Sequence, residues 1–298
     1  GLTNYLSALM DGWTGKDADP SRAVVWTTDF AGDITRDMRS TITHPIYEVL
    51  KDDNEIEVDY LHDATATHGR LETALTNKPA VVVTSSHGMT GPLGDDDAMA
   101  HDLGLLVDQN HQITNTQNLL AAWQPCGAVW YAHACCSAGS RSDTRFADLL
   151  VEDSVAWKIV TGVSKLASQT APLPKALLGA PKPLRAFIGQ VEPTFDWTLR
   201  DAATSQRLTG DIQQSLYNRL MQPWPVGYAF EDYYESVGFF TTQWAMLKDE
   251  IDGGDESVRD AVLRMRLTAL DRQSMVLLGD PTATRPALHS KALPDCSD

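Results

Sequence analysis

Short apolar runs alternate with segments of helical spacing along the first half of the chain, and each change of period marks an element. The run AVVWTTDF (23–30) is β-branched and aromatic and ends in Asp29 and Gly32, which predicts a strand followed by a turn. DITRDMRSTITHPIYEVLKDD follows at helical spacing, with Asp33 as its cap and Pro45 kinking or dividing it. EIEVDYL (55–61) alternates and predicts a strand, and GRLETALTNK (69–78) predicts a short helix. AVVVTSSHG (80–88) is apolar on both faces, the mark of a buried parallel strand. Within the Gly- and Asp-rich segment 89–115, LGLLVDQNHQI predicts a hairpin. NTQNLLAAWQ (115–124) predicts a helix capped by Asn115, and GAVWYAHAC (127–135) a second buried strand.

The second half is less regular. LRAFIGQ (184–190) predicts a strand, introduced by the Pro-rich APLPKALLGAPKP. Segments 199–221, 227–249 and 257–270 predict helices, and MVLLGDP (275–281) a last short strand. Strands that alternate with helices predict an α/β fold with a mostly parallel sheet covered on both faces. With no repeat and no low-complexity linker, the expectation is a single domain over 1–298, its core at about 23–286, with a helical insertion toward the C-terminus.

Composition narrows the function. The formal net charge of −16 is spread along the chain; such a surface repels nucleic acid and anionic membrane and favours basic partners. No apolar run approaches the ~20 residues of a membrane span. The N-terminal GLTNYLSALMDGWTGKDADP lacks the basic and apolar regions of a signal peptide, so the expected location is cytoplasmic. The cysteines, Cys126, Cys135, Cys136 and Cys296, are too few for a disulfide scaffold and show no CxxC or CxxH pair for zinc.

The remaining chemistry sits at strand ends, where ligands of doubly wound sheets bind. VVVTSSHG delivers His87 and then Gly88; WYAHAC delivers Cys135, with Ser137 and Gly139 beyond. The spacing, 135 − 87 = 48 residues, has room for a hairpin and one crossover helix. From the residues alone, Cys135 and Cys136 are either two inert core thiols or a core thiol beside a nucleophile. Serines are present, but no G-x-S-x-G elbow, which argues against a serine hydrolase.

The motifs SSHG and HACCSAG resemble the His-Gly and Ala-Cys motifs of clan CD cysteine peptidases, the group of caspases, legumains, gingipains and CHAT domains. GLLVDQN, AFIGQVEPTF and the terminal LLGDPT are similar to segments of the gingipain-like and bacterial CHAT branch, although Gln190 stands where His is common. The resemblance implies a caspase-like three-layer α/β/α sandwich and a cysteine endopeptidase with a dyad of His87 and Cys135. It implies an oxyanion hole from the N–H groups of Gly88 and Cys135, and it selects Cys135 because the nucleophile directly follows Ala134. Asp29, His133, Glu192 and Asp196 are the expected substrate-pocket residues, and Asp29 suggests a pocket for a basic P1 residue. His101 and His111 are expected at the surface, and the acidic loop 94–102 as solvated. No cofactor or metal is expected. The expected partners are a protein or peptide substrate and an activating protein in a bacterial signalling or defence system. The rival is a latent or non-catalytic caspase-like interaction domain within a larger assembly.

Overall fold

The computed structural model describes residues 1–15, 18–201 and 204–286. Cys296 lies outside them. Eight strands form among the described residues: β1 Asp19–Thr27, β2 Glu57–Leu61, β3 Pro79–Ser85, β4 Val129–His133, β5 Gly139–Ser140, β6 Gln169–Thr170, β7 Ala186–Gln190 and β8 Met275–Gly279. The six longer ones make one sheet in the order β2-β1-β3-β4-β7-β8. Neighbours from β2 through β7 are parallel, and β8 closes the edge antiparallel to β7. Parallel neighbours need long crossovers. Helices supply them, among them His68–Leu75, Thr116–Ala122 and Pro172–Leu178. The chain steps outward from β1 to β2 and then back past β1 to β3, so the strand order reverses between β1 and β3. The crevice beyond the carboxyl ends at such a reversal is where these sheets bind ligands.

Alternation along the strands sends successive side chains to opposite helical layers. Val24, Trp26, Val82, Trp130 and Phe187 meet Leu71, Leu119, Leu173 and Leu177 on one face. Val25, Val83, Tyr131 and Ile188 meet Met38, Ile42, Ile46, Leu216 and Phe230 on the other. Each fully buried aliphatic or aromatic side chain contributes roughly 1.5–3 kcal/mol, so the two faces together fix the strand register. β3 is buried along its whole length, as its unbroken apolar run requires.

The helical run at 34–51 departs from one smooth helix just before Pro45. Residues Arg39–Thr43 form a wide π-type turn, and α-helix resumes at His44. Proline lacks the N–H that would donate back into the preceding turn, and widening that turn accommodates the loss. Segment 199–221, expected as one helix, instead begins with an antiparallel bridge between Arg200 and Arg207, and helix starts only at Gly210. Helix Asp96–Asp102 falls where an acidic loop is expected, Pro172–Leu178 in the Pro-rich run before β7, and Val155–Ser164 in a stretch to which sequence assigns no element. The described residues between 196 and 273 are mostly helical and stand between the paired strands β7 and β8. No helix among the described residues is long and apolar enough to cross a membrane.

Candidate active site

The parallel order β1-β3-β4 carries Asp29, His87 and Cys135 off the same end of the sheet. His87 and Gly88 lie just beyond β3, and Cys135 just beyond β4. The Ser86 N–H donates to the His133 carbonyl at 3.3 Å, so the pairing continues past the formal strand ends. A Cβ on Gly88 would lie 2.0 Å from the Cys135 carbonyl oxygen, so the two backbones touch and only glycine fits. Gly88→Ala is therefore expected to part the strand ends at a cost of about 1–3 kcal/mol. Thermal denaturation should register the loss. An equally stable variant would mean that the contact is dispensable.

His87 is held on two sides. Its Nε2 stands 3.0 Å from both carboxylate oxygens of Asp33, and the ring lies nearly parallel to Phe30, 16° apart with centroids 6.0 Å apart. Asp33 is also the cap of helix Ile34–Met38, accepting from the Thr35 N–H and hydroxyl at 2.9 and 2.7 Å. Burial works against its charge, but the Thr35 donors and His87 outweigh it and hold the carboxyl below the usual range. An ionised acceptor on Nε2 fixes the proton there and leaves Nδ1 as the basic nitrogen. Asp33 was legible only as a cap. Its second role arises because β1 and β3 are neighbours, which no local pattern announces.

β4 ends at His133, so Cys135 and Cys136 lie in the turn beyond the strand rather than on its two faces. They still diverge. Cys136 has a positive φ of 55° and is buried against Met99, Leu103 and Val163. Cys135 is partly exposed, and its thiol donates to the Thr194 carbonyl at 3.3 Å. The turn is stitched to the end of β7. Cys136 N donates to Glu192 O at 3.1 Å, Ala138 N to Gln190 O at 2.8 Å, and Gln190 N to the Ser137 hydroxyl at 3.0 Å. Burial pushes the Cys135 thiol up to about 11, and the charge of Asp271 acts in the same direction. Backbone hydrogen bonds of Cys135 and Gly88 pull the other way, and burial prevails. Among the described residues, no hydrogen bond joins the thiol to His87.

The four pocket residues are spread over different environments. Asp29 is bound on both oxygens, to Arg36 at 3.0 Å and Arg39 at 2.9 Å. Glu192 is buried, accepts from the Thr144 hydroxyl at 2.8 Å, and lines a small recess of about 10 Å³ with Arg141, Phe146 and Leu270. Burial raises its pKa. Asp196 is exposed at the start of a 3-10 turn, two residues past Thr194. His133 is buried inside the sheet layer with Nδ1 3.0 Å from the Tyr131 hydroxyl, and burial pushes it down to about 4. It is a buried imidazole at the last position of β4, and burial favours its neutral form. His101 is at the surface beside Asp102, and the acidic segment forms a helix capped by Asp95. His111 is exposed yet stacks on Phe30, with centroids 4.5 Å apart.

Sequence reasoning also missed Asp271. It is fully buried near the end of helix Arg259–Gln273, and its Oδ2 accepts from the Thr198 hydroxyl at 2.7 Å. It thereby anchors the loop that offers the Thr194 carbonyl to Cys135. Burial pushes its carboxyl up to about 7, against the pull of the Thr198 and Thr194 hydroxyls and Arg272. The folded protein then keeps a proton that the unfolded chain releases above 3.8. That stabilisation is complete below 3.8 and is lost as pH rises through about 7. His133 has the opposite sign: its contribution is lost as pH falls from 6.5 to about 4. Above the ordinary histidine range His133 no longer contributes, whereas Asp271 still acts up to about pH 7. The melting temperature should therefore fall between about pH 6.5 and 8, and Asp271→Asn should flatten that fall. An unchanged slope in Asp271→Asn would assign the fall to another group.

No family model matches the chain, and no curated protein and no solved structure matches it either.

Proposed function

We propose that the chain is a cysteine endopeptidase built on a caspase-like α/β/α sandwich, with Cys135 as nucleophile and His87 as acid–base. The observation that carries this reading is the contact of the Gly88 and Cys135 backbones at the ends of β3 and β4, beside a His87 already paired with Asp33. In this reading Nδ1 of His87 takes the thiol proton, and the thiolate attacks the scissile carbonyl carbon. The oxyanion is held by the N–H groups of Gly88 and Cys135, each worth roughly 3–4 kcal/mol at the transition state. The imidazolium then protonates the leaving amine. Water, activated by the same imidazole, hydrolyses the thioester and regenerates the thiol.

The resting thiol favours a controlled enzyme. With its pKa raised to about 11 and its proton on Thr194 O, Cys135 must turn from the 194–198 loop toward His87 before it can react. An activating partner that moves this loop would supply the step. The same observation supports the second reading, a latent caspase-like domain inside an assembly. For a basic P1 residue, the physics favours Asp196 over its rivals, since a buried cation needs an unpaired anion. Asp29 already carries two guanidinium groups and Glu192 is buried. Matched peptides with Arg, Lys, Asp, Asn or Leu at P1, offered to wild type and Cys135→Ala, test the proposal. The expected result is cleavage after Arg or Lys by wild type only, weakened in Asp196→Asn. Cleavage that survives in Cys135→Ala would overturn the cysteine mechanism.

A further inference from the structure

We infer that Asp29 and Gln109 are positioning residues: together they clamp the loop 29–33 so that Asp33 and Phe30 hold the His87 imidazole in its working orientation. The inference rests on the peptidase reading above and gives Asp29 a role other than binding substrate charge. Gln109 pairs with the Asp29 backbone at two points. Its Oε1 accepts from the Asp29 N–H at 2.9 Å, and its Nε2 donates to the Asp29 carbonyl at 3.1 Å. The Asp29 carboxylate is tied to Arg36 and Arg39, and Arg39 reaches on to Asp63 at 2.6 Å, just past β2. The end of β1 is thus fastened on one side to the hairpin and on the other to the end of β2.

The hold passes directly to His87. Phe30 N donates to the Thr35 hydroxyl at 3.0 Å, and that hydroxyl donates to Asp33 Oδ1 at 2.7 Å. Asp33 meets the edge of the imidazole and Phe30 its face. The hairpin that carries Gln109 also holds the backbone of His87: Val107 N donates to the His87 carbonyl at 3.0 Å, and Gly88 bridges Leu106. One hairpin therefore sets both partners of the Asp33–His87 pair. Its tip is itself fixed, since Asp108 accepts from the N–H groups of Asn110, Gln112 and His68 at 2.8–3.1 Å. A carboxylate saturated by two guanidinium groups has little field left for a third cation, whereas it is well placed as an anchor.

The test combines peptide kinetics with a readout that needs no substrate: the rate of iodoacetamide alkylation at Cys135, mapped by mass spectrometry at about pH 8. Gln109→Ala and Asp29→Ala are expected to lower both kcat and the alkylation rate by about tenfold, with KM, P1 ranking and melting temperature nearly unchanged. In an Asp33→Asn background, Gln109→Ala should cost nothing further, because the clamp acts through Asp33. The inference is overturned if Asp29→Ala changes the P1 ranking while kcat on a neutral P1 peptide stays intact. It is equally overturned if alkylation is indifferent to both substitutions, or if the Gln109→Ala loss is additive with Asp33→Asn. Should wild type cleave no peptide, the peptidase reading fails, and a tenfold loss of alkylation in Gln109→Ala still upholds the clamp.

Discussion

Cys135→Ala is expected to abolish peptide cleavage, by roughly 10⁴-fold or more as for other removed nucleophiles, while Cys136→Ala keeps most of it. The two thiols are adjacent in sequence and differ in surroundings. Cys135 is partly open and lies against Gly88; burial raises its thiol too, to about 11, but backbone hydrogen bonds offset part of that rise. Cys136 is sealed among Met99, Leu103 and Val163, and burial pushes its thiol well above the ordinary value. A thiolate there would be buried and would meet the charges of Cys135 and Glu192. Cys136→Ala should therefore cost stability, about 1 kcal/mol for a lost buried group, and leave turnover per folded molecule nearly intact. Steady-state hydrolysis of one fluorogenic peptide by the three proteins, with circular dichroism to count folded molecules, decides between the residues. Activity that disappears in Cys136→Ala and persists in Cys135→Ala would reverse the assignment.

His87→Ala is expected to lower kcat by about 10²–10⁴, the range for a positioned acid–base group, and Asp33→Asn by a similar factor through the wrong tautomer. Asparagine is the informative substitution at position 33. It caps a helix as well as aspartate does, so the hydrogen bond to the Thr35 N–H survives and the helix Ile34–Met38 stays anchored. What is lost is the negative acceptor that keeps the proton on Nε2 and leaves Nδ1 as the basic nitrogen. The melting temperature should barely move while kcat falls. Combining His87→Ala with Asp33→Asn should add little to His87→Ala alone, because the carboxylate acts only through the imidazole. If Asp33→Asn retains full kcat, the 3.0 Å pair is a capping arrangement with no part in turnover.

His87 and Cys135 were legible because each terminates a run that is apolar on both faces, and a polar group at that boundary has few structural reasons to be there. Helix caps were legible for the same local reason: Asp33 and Asn115 stand before helices and each accepts from the first turn. The Asp33–His87 pair was not, since it depends on β1 lying beside β3, a fact of topology. Asp29 shows the limit of reading a charge in isolation. Arg36 and Arg39 lie three apart on the helical run that follows, so their guanidinium groups return to the strand end and consume its charge. Thr194 left no trace, because it is its carbonyl that receives the thiol, and every residue has one. The Pro-rich run before β7 gives no helical signal of its own, yet prolines at the first turn of a helix are well tolerated, and Pro172 sits at the first turn of Pro172–Leu178.

The most direct test of the central claim is covalent labelling with an electrophilic peptide that carries Arg at P1 and an acyloxymethyl ketone, followed by mass-spectrometric mapping. The expected result is one adduct per molecule on Cys135, lost in His87→Ala and undiminished in Cys136→Ala. An adduct on Cys136 or Cys126, or labelling of Cys135 that is indifferent to His87, would contradict a nucleophile at the end of β4 served by the histidine at the end of β3.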